Sequence, residues 1–214
     1  MKDERLTRVF ITLFLFTCAF LSGTPSLQAE ETAKIRLVAY NIKHGRGMDN
    51  KVDLRRIASV LRTLKPDLVA LQEIDHTCTR SGSVDQAALL GDLLGMHHRF
   101  GAFMDFQGGQ YGMAVLSRFP IQKSIRHQLA PGAEPRCALE VTVRPADKGP
   151  LLSFVSIHND WTREAFRVAQ VNDLIAGLKE REHPVILAGD FNAEPKAESL
   201  TRLSNSDFLI LPKK

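Results

Sequence analysis

Four short, mainly apolar runs along this chain are each followed at once by polar side chains. The runs cover residues 35–40, 67–71, 151–157 and 184–188, and their β-branched and aliphatic residues are typical of buried strands. The residues that follow are Asn41, Gln72-Glu73, His158-Asn159-Asp160 and Gly189-Asp190-Phe191-Asn192. This pattern predicts four buried strands whose ends carry polar groups.

Helical periodicity occurs between these runs. Residues 53–64, 84–94 and 162–178 place apolar side chains at helical spacing, with Pro66 and Gly95 as stop signals for the first two helices and Thr162 as the cap of the third. Residues 112–116 predict a further buried strand, and residues 136–144 alternate like a strand with one exposed face. This mixture of strands and helices indicates an α/β fold.

The four polar strand ends predict a single site. In open α/β proteins, sites form outside the carboxyl ends of strands, so Asn41, Glu73, His158, Asp190 and Asn192 are expected to converge. Asp190 and Asn192 are two residues apart and would face one pocket if their backbone is extended. Taken singly, these residues are equally consistent with turn formers and with solvated charges at strand ends.

Five short motifs occur in an order that resembles a known family. They are Tyr40-Asn41-Ile42, Leu71-Gln72-Glu73, residues 112–118 (GMAVLSR), Ser156-Ile157-His158 and Gly189-Asp190-Phe191-Asn192. In this order they resemble the endonuclease/exonuclease/phosphatase superfamily, the relatives of DNase I, over residues 34–195. The resemblance implies a DNase I-like four-layer α/β sandwich, in which two mixed, mainly antiparallel sheets are flanked by helices.

The resemblance also implies roles for the strand-end residues. Glu73, helped by the carboxamide of Asn41, would bind Mg²⁺ or Mn²⁺, since hard cations prefer oxygen ligands. Asp190 would orient or activate the attacking water, Asn192 would hold a phosphate oxygen, and His158 would donate a hydrogen bond or a proton. The implied activity is metal-dependent hydrolysis of a phosphodiester or a phosphomonoester. A non-catalytic protein that binds a phosphate ligand or a lipid headgroup is the alternative.

The chain departs from the family after Asn192. Relatives continue to a closing Ser-Asp-His motif, which this sequence does not contain before its last residue, Lys214. The resemblance therefore implies that residues 30–214 form a C-terminally truncated domain. We expect such a domain to lack its last strands and to have impaired activity.

Residues 1–29 have a different character from the rest of the sequence. Three basic residues precede the apolar residues 9–21, and small residues follow up to Ala29, which is the layout of a secretory signal peptide. We therefore expect export to the periplasm or the medium, with no stable membrane span once the signal is cleaved. A retained N-terminal membrane anchor is the alternative. Export would permit a disulfide between Cys78 and Cys137.

Composition and charge narrow the class of partner. A chain of 214 residues with 44% hydrophobic and 24% charged residues suits one globular domain. Residues 1–29 carry three basic and two acidic side chains, so their removal lowers the net charge from +4 to +3. This mild excess fits an anionic phosphoester substrate. Nucleic acid is possible but not favoured, because no Lys/Arg block or basic stripe occurs, and the oligomeric state stays open.

Four other residues lie near the predicted strand ends. Tyr111 follows a glycine-rich, flexible segment and Trp161 follows Asp160, so both are candidates to line a cleft, although a packed tryptophan is the safer expectation. Arg136 is equally consistent with a phosphate contact and with a solvated face. His44 is equally consistent with a substrate contact and with a surface loop.

Overall fold

The computed structural model describes residues 34–206 and Phe208, so the expected signal segment, residues 1–29, lies outside the described residues. Among the helices of the described part, none combines the length and the apolar character needed to cross a membrane. The elements in chain order are β1 (Leu37–Asn41), α1 (Leu54–Leu64), β2 (Leu68–His76), α2 (Gln86–Leu94), β3 (His97–Phe106), β4 (Gly109–Ser117), β5 (Ile121–Gln128), β6 (Cys137–Val143), β7 (Leu152–His158), α3 (Glu164–Leu178), β8 (Val185–Asp190) and α4 (Glu198–Ser204).

The strands form two four-stranded sheets. The first has the order β1-β2-β4-β3 and the second has the order β5-β6-β7-β8. β1 pairs with β2 and β7 pairs with β8 in parallel, whereas the other neighbours are antiparallel. Each sheet therefore contains one parallel pair whose two strands end on the same side, which is where the sequence places its polar residues.

Apolar layers hold these sheets between helices. Leu61 of α1 and Leu90 of α2 pack on the first sheet, Met113 and Phe154 belong to the layer between the two sheets, and Leu174 of α3 packs on the second sheet. The helix–sheet–sheet–helix order confirms the predicted four-layer sandwich of mixed, mainly antiparallel sheets. That the last strands are missing stays a prediction.

Side-chain caps fix where two helices begin. Asp53 accepts a hydrogen bond from the Arg56 N–H at the start of α1, and Asp85 does the same for the Ala88 N–H at the start of α2. The predicted cap of α3 is wrong. This helix begins at Glu164, and the Thr162 hydroxyl donates instead to the buried carboxylate of Asp160.

Some strand predictions are also wrong. β6 is buried along its whole length rather than exposed on one face, because it lies between β5 and β7 with both of its faces covered. β2 does not end at Gln72-Glu73 but continues to His76. β3 and β5 are absent from the sequence-based expectation, since they are edge strands whose exposed charges, such as Arg99 and Lys123, interrupt any apolar run.

The two cysteines of the described residues are free thiols, so the expected disulfide is wrong. The Cys78 thiol donates to the Gln110 carbonyl at 3.3 Å, whereas the Cys137 thiol faces the Ala102 carbonyl at 3.6 Å. Burial raises the pKa of the Cys137 thiol to about 11 and keeps it protonated.

Candidate active site

Two carboxylates from different sheets share one hydrogen-bond donor. Asn41 Nδ2 lies 2.8 Å from Glu73 Oε1 and 3.4 Å from Asp190 Oδ2. The Asn41 Oδ1 accepts the backbone N–H of Lys43 at 3.1 Å, which sets the orientation of the amide. The structure therefore brings Asn41, Glu73 and Asp190 together, and the amide separates two like charges that would otherwise repel each other.

Glu73 reaches this site through a β-bulge. The pairing of β2 with β4 shifts by one residue between Gln72 and Ile74, and Glu73 has a left-handed backbone with φ 59°. Leu71 and Ile74 consequently both pack in the layer under the helices, although residues three apart in a regular strand face opposite sides. The extra residue turns Glu73 out of the regular alternation. It is thus an interior bulge rather than a strand end.

Asp190 is the last residue of β8, and Asn192 follows it in a turn. The expectation of an extended backbone is wrong here, because Asn192 has φ 48°. Its backbone N–H donates to Asp190 Oδ1 at 3.0 Å, and its side-chain Nδ2 donates to the Asn159 carbonyl at 2.9 Å. Asn192 therefore fixes the Asp190 carboxylate and ties the end of β8 to the end of β7. Its contact with a phosphate oxygen stays a prediction.

His158 lies directly beside Asp190, since the two residues are paired in the parallel ladder of β7 and β8. The side chain is only 4% exposed, and its Nδ1 is buried without a hydrogen-bond partner in the described part of the chain. Burial lowers the pKa of His158, the Arg136 charge lowers it further, and the carboxylates of Asp190 and Glu73 oppose the shift. The imidazole is therefore neutral near neutral pH.

Arg136 and Asn159 are residues near the site to which the sequence assigned no definite role. Arg136 is 2% exposed, so the interpretation as a solvated face is wrong. Its Nη2 pairs with Glu134 at 2.9 Å, and its guanidinium lies 4.8 Å from the centre of the Phe103 ring. Its Nε and Nη1, and both polar atoms of the Asn159 amide, are buried without partners within the described residues. Buried donors of this kind are costly unless a ligand or water satisfies them.

No sequence signal marks the burial of Arg136, because its neighbours Glu134, Pro135 and Cys137 predict no particular environment. Asn159 did carry a signal, since it stands directly after His158 at a polar strand end. Arg136 lies over Phe103, which meets Tyr111 edge-on at 4.9 Å, and its charge helps to lower the pKa of His158.

The remaining candidates divide between the site and the surface. Tyr111 is the cross-strand partner of Asp75, two residues after Glu73, and burial together with the Glu73 charge raises the pKa of its hydroxyl. The expected flexible segment is wrong in part, because Gly109 and Gln110 belong to β4 together with Tyr111. Trp161 is 65% exposed, so the expected packing is wrong and the side chain projects from the loop after β7. His44 is half-buried in the turn after β1, near Glu73.

The donor set fits a hard divalent cation. In the described residues no group of three or more His, Cys, Asp and Glu side chains forms a metal cage. The oxygen donors present are the carboxylates of Glu73 and Asp190 together with the Asn41 carboxamide, and Mg²⁺ is commonly held by only one or two carboxylates and several waters. Asn41 now directs Nδ2 to both carboxylates, so ligation through Oδ1 would require its amide to turn and to release the Lys43 N–H.

Comparison with known proteins gives a family for this architecture. The model of the Endonuclease/Exonuclease/phosphatase family matches residues 38–210. The uncharacterised protein YbhP of Escherichia coli K12 is 29% identical over 168 residues, which cover 73% of this chain and 66% of YbhP.

Two solved structures share the fold. An endonuclease/exonuclease/phosphatase from Beutenbergia cavernae superposes with a TM-score of 0.67 at 24% identity, covering 80% of this chain and 53% of that one. The catalytic domain of human Nocturnin, solved with a bound sulfate anion, gives a TM-score of 0.62 at 25% identity and covers 80% of this chain and 70% of that domain. This chain thus spans just under two thirds of YbhP and about half of the Beutenbergia protein.

Proposed function

The chain belongs to the endonuclease/exonuclease/phosphatase family, and on that premise we propose that it is a metal-dependent phosphoesterase that hydrolyses a phosphodiester or a phosphomonoester. The observation that carries the proposal is the meeting, at one site, of two carboxylates with buried donors that have no hydrogen-bond partner among the described residues. Glu73 and Asp190 supply the carboxylates, and Arg136, His158 and Asn159 supply the donors. A cation would neutralise the two carboxylates, and a phosphate group would accept hydrogen bonds from the buried donors.

Glu73 and Asp190 are the residues that would hold the cation, with Asn41 as a third oxygen donor once its amide has turned. When bound, Mg²⁺ or Mn²⁺ would neutralise the charge that develops on the phosphate and on the leaving oxygen. In the structure, the Asn41 amide donates to both carboxylates and so bridges the two residues that would hold the cation.

Arg136 and Asn159 are the residues that would bind the phosphate oxygens. Glu134 and the Phe103 ring hold the Arg136 guanidinium in place, while its Nε and Nη1 have no partner in the part of the chain that the structure describes and could donate to a ligand. Because this arginine is buried, its hydrogen bonds to an anion would form away from bulk water, where charge-assisted bonds are strongest. The buried Asn159 amide would add a neutral donor beside it.

Asp190 and His158 are the residues that would handle the protons. Asp190 is held at Oδ1 by the Asn192 N–H and faces Asn41 through Oδ2, so its carboxylate has a fixed direction. In hydrolysis the water oxygen bonds to phosphorus and one proton of the water passes to Asp190. The ester P–O bond breaks, its electron pair goes to the leaving oxygen, and that oxygen takes a proton from solvent water. The neutral His158 ring would donate a hydrogen bond to the phosphate as its charge increases.

Turnover of bis(4-nitrophenyl) phosphate and of 4-nitrophenyl phosphate tests this proposal. We expect hydrolysis with Mg²⁺ or Mn²⁺ that EDTA abolishes. Glu73→Gln should lower kcat/KM by about a hundredfold or more, and Asp190→Asn by about 10²- to 10⁴-fold. Glu182→Gln is the matched control, because it replaces an exposed glutamate and should leave kcat/KM unchanged.

Two results would overturn the assignment. Full activity of Glu73→Gln, or turnover that survives EDTA, would show that the reaction does not depend on a metal held by Glu73. A folded protein that turns over neither substrate but binds inorganic phosphate in the presence of Mg²⁺ would instead support a phosphate-binding protein.

We also propose that residues 1–29 direct export and are then cleaved. The support is the basic, apolar and small-residue order of this segment. Fractionation of bacteria that express the full chain should recover a periplasmic product whose mass lacks the segment, whereas an uncleaved, membrane-bound product would indicate an anchor.

A further inference from the structure

Arg80 is immobilised beside the proposed active site. Its Nε and Nη2 donate to the two carboxylate oxygens of Asp75 at 2.9 and 2.7 Å. The Asp75 side chain is fully buried, whereas the Arg80 side chain is 25% exposed. The pair therefore anchors the guanidinium from the protein side and leaves Nη1 as the amino group that it does not use.

Aromatic rings fix the same guanidinium from a second direction. Its carbon lies 4.4 Å from the centre of the Phe106 ring and 4.8 Å from that of Tyr111. Tyr111 meets Phe103 edge-on at 4.9 Å, and Arg136 lies over Phe103 at 4.8 Å. Two arginines thus stand at the two ends of one row of rings.

This row runs along the edge of the active site. Asp75 and Tyr111 are cross-strand partners two residues beyond the Glu73 bulge. Gln86 accepts the backbone N–H of Asp75 at 3.0 Å and donates to the His44 carbonyl at 2.8 Å, so His44 and Arg80 are both held around buried Asp75. The Nδ1 of His44 is buried there without a partner within residues 34–206 and Phe208. Two groups of polar side chains therefore lie in the neighbourhood of Glu73, namely buried Arg136 and the pair of Arg80 and His44.

We propose that Arg80, together with His44 and Tyr111, forms a second anion subsite at the other end of the row of rings from Arg136. This inference rests on the proposed phosphoesterase function and names the substrate class more closely. The substrate carries a second anionic group, such as another phosphate, away from the bond that is hydrolysed. Arg80 is a specificity-determining residue that binds this second group.

Neutralisation of Asp75 alone does not account for the arrangement. The Arg118–Asp67 pair at the other end of β2 has the same 2.7 Å contact and also lies over a ring, Phe119, at 4.9 Å. In that pair the arginine is 63% exposed, and no buried unpartnered group is found beside it in the described chain. Arg80 differs because it is held more deeply and shares its surroundings with His44 and Glu73.

Binding of alkyl phosphonates tests the second subsite independently of catalysis. The probes are propane-, butane- and hexane-bisphosphonates, with the corresponding monophosphonates as references, because their carbon–phosphorus bonds resist hydrolysis. Calorimetric titration in Mg²⁺ buffer should show that at least one bisphosphonate binds about tenfold more tightly than its monophosphonate. The Asp75→Asn, Arg80→Gln double variant should lose this preference, and Arg80→Lys should retain only part of it.

The Asp67→Asn, Arg118→Gln double variant is the matched control and should keep the preference of the native chain. Equal affinity for mono- and bisphosphonates in the native chain, or an unchanged preference in both Arg80 variants, would overturn the proposal. Arg80→Lys keeps the positive charge beside buried Asp75, so it decides the question if the double variant does not fold. Absence of nitrophenyl ester turnover would count against the phosphoesterase function alone.

Discussion

Gly189 lies one residue before Asp190 and brings β8 against β7 more closely than a side chain would allow. Its φ is 148°, and a Cβ placed on it would stand 2.0 Å from the Ile157 carbonyl oxygen. Gly189→Ala should therefore push the two strands apart and destabilise the fold by about 1–3 kcal/mol. It should also lower kcat/KM, because Asp190 would move with β8. Thermal unfolding and turnover of the same preparation measure both effects.

Gly82→Ala is the control for the backbone contribution. Gly82 also has a positive φ, 83°, but no atom lies within 4 Å of the added Cβ. The Gly82→Ala variant should lose stability only through backbone strain at its positive φ, and it should keep its activity. Equal loss of activity in both variants would contradict the steric explanation.

The shared Asn41 amide gives a prediction for metal removal. A cation that binds between Glu73 and Asp190 only in the folded state should raise Tm increasingly with its concentration. At ten times its Kd it should add about 1.4 kcal/mol to the free energy of unfolding. Glu73→Gln should abolish this rise, because it removes one of the two carboxylates that face Asn41. Differential scanning fluorimetry with Mg²⁺, and then with EDTA, measures it. A Tm that does not respond to Mg²⁺ would count against the site.

Among single residues, the sequence predicted which side chains lie at the site better than it predicted their backbone conformation and burial. Asn41, His158 and Asp190 were found because they end strands, and strand ends meet at one edge of a sheet. Glu73 was predicted as a strand-end residue, but it lies at a bulge within β2. The sequence did not predict the bulge, because no residue type marks one. Arg136 was undervalued, since its burial depends on Phe103 and Glu134 rather than on its own neighbours in sequence.

At the level of elements, β6 contains a buried charge that joins three other segments. Both oxygens of Glu140 bind Arg181 at 2.8 Å, and the same carboxylate also contacts His127 at 2.7 Å and Ser153. The Glu140 side chain is 1% exposed. The alternation of β6 predicted an exposed face, but these partners are what make a glutamate tolerable inside.

Glu140 makes acid sensitivity predictable. Burial alone would raise the pKa of Glu140, but the hydrogen bonds of Arg181, His127 and Ser153 outweigh it and hold the pKa well below its usual 4.5. The folded protein thus binds this proton less readily than the unfolded chain. The stability that Glu140 contributes is therefore complete above pH 4.5 and declines as the pH falls below it towards the folded-state value.

Glu140→Gln should be less stable than the native chain at pH 7 by about 3–5 kcal/mol, because it leaves Arg181 without its charge partner. The difference should shrink as the pH falls below 4.5, where the native carboxylate itself begins to lose its advantage. Urea unfolding at pH 7 and pH 4 measures this. Glu198→Gln, which removes an exposed pair with Arg202, is the control and should change little at either pH.

Across the whole molecule, the site exists only because the two sheets are docked. Asn41 and Glu73 belong to the first sheet, whereas His158 and Asp190 belong to the second. Just beneath them, Gln72 Nε2 donates to Ser156 Oγ at 3.2 Å through the interior. The sequence predicted the four layers through the order of its motifs, yet no periodicity specifies how one sheet aligns with the other, because that alignment is set by packing between Met113, Leu139 and Phe154.

The contact between Asn41 and Asp190 joins residues 149 positions apart in the chain. Contacts of such long sequence separation are slow to form, because a large loop must close before they stabilise anything. After dilution from urea, the strand signal in circular dichroism should therefore return before turnover does. The delay between the return of the circular dichroism signal and the return of turnover would measure how long the two sheets take to dock. An enzyme assay would thus report the rate of the last step of folding.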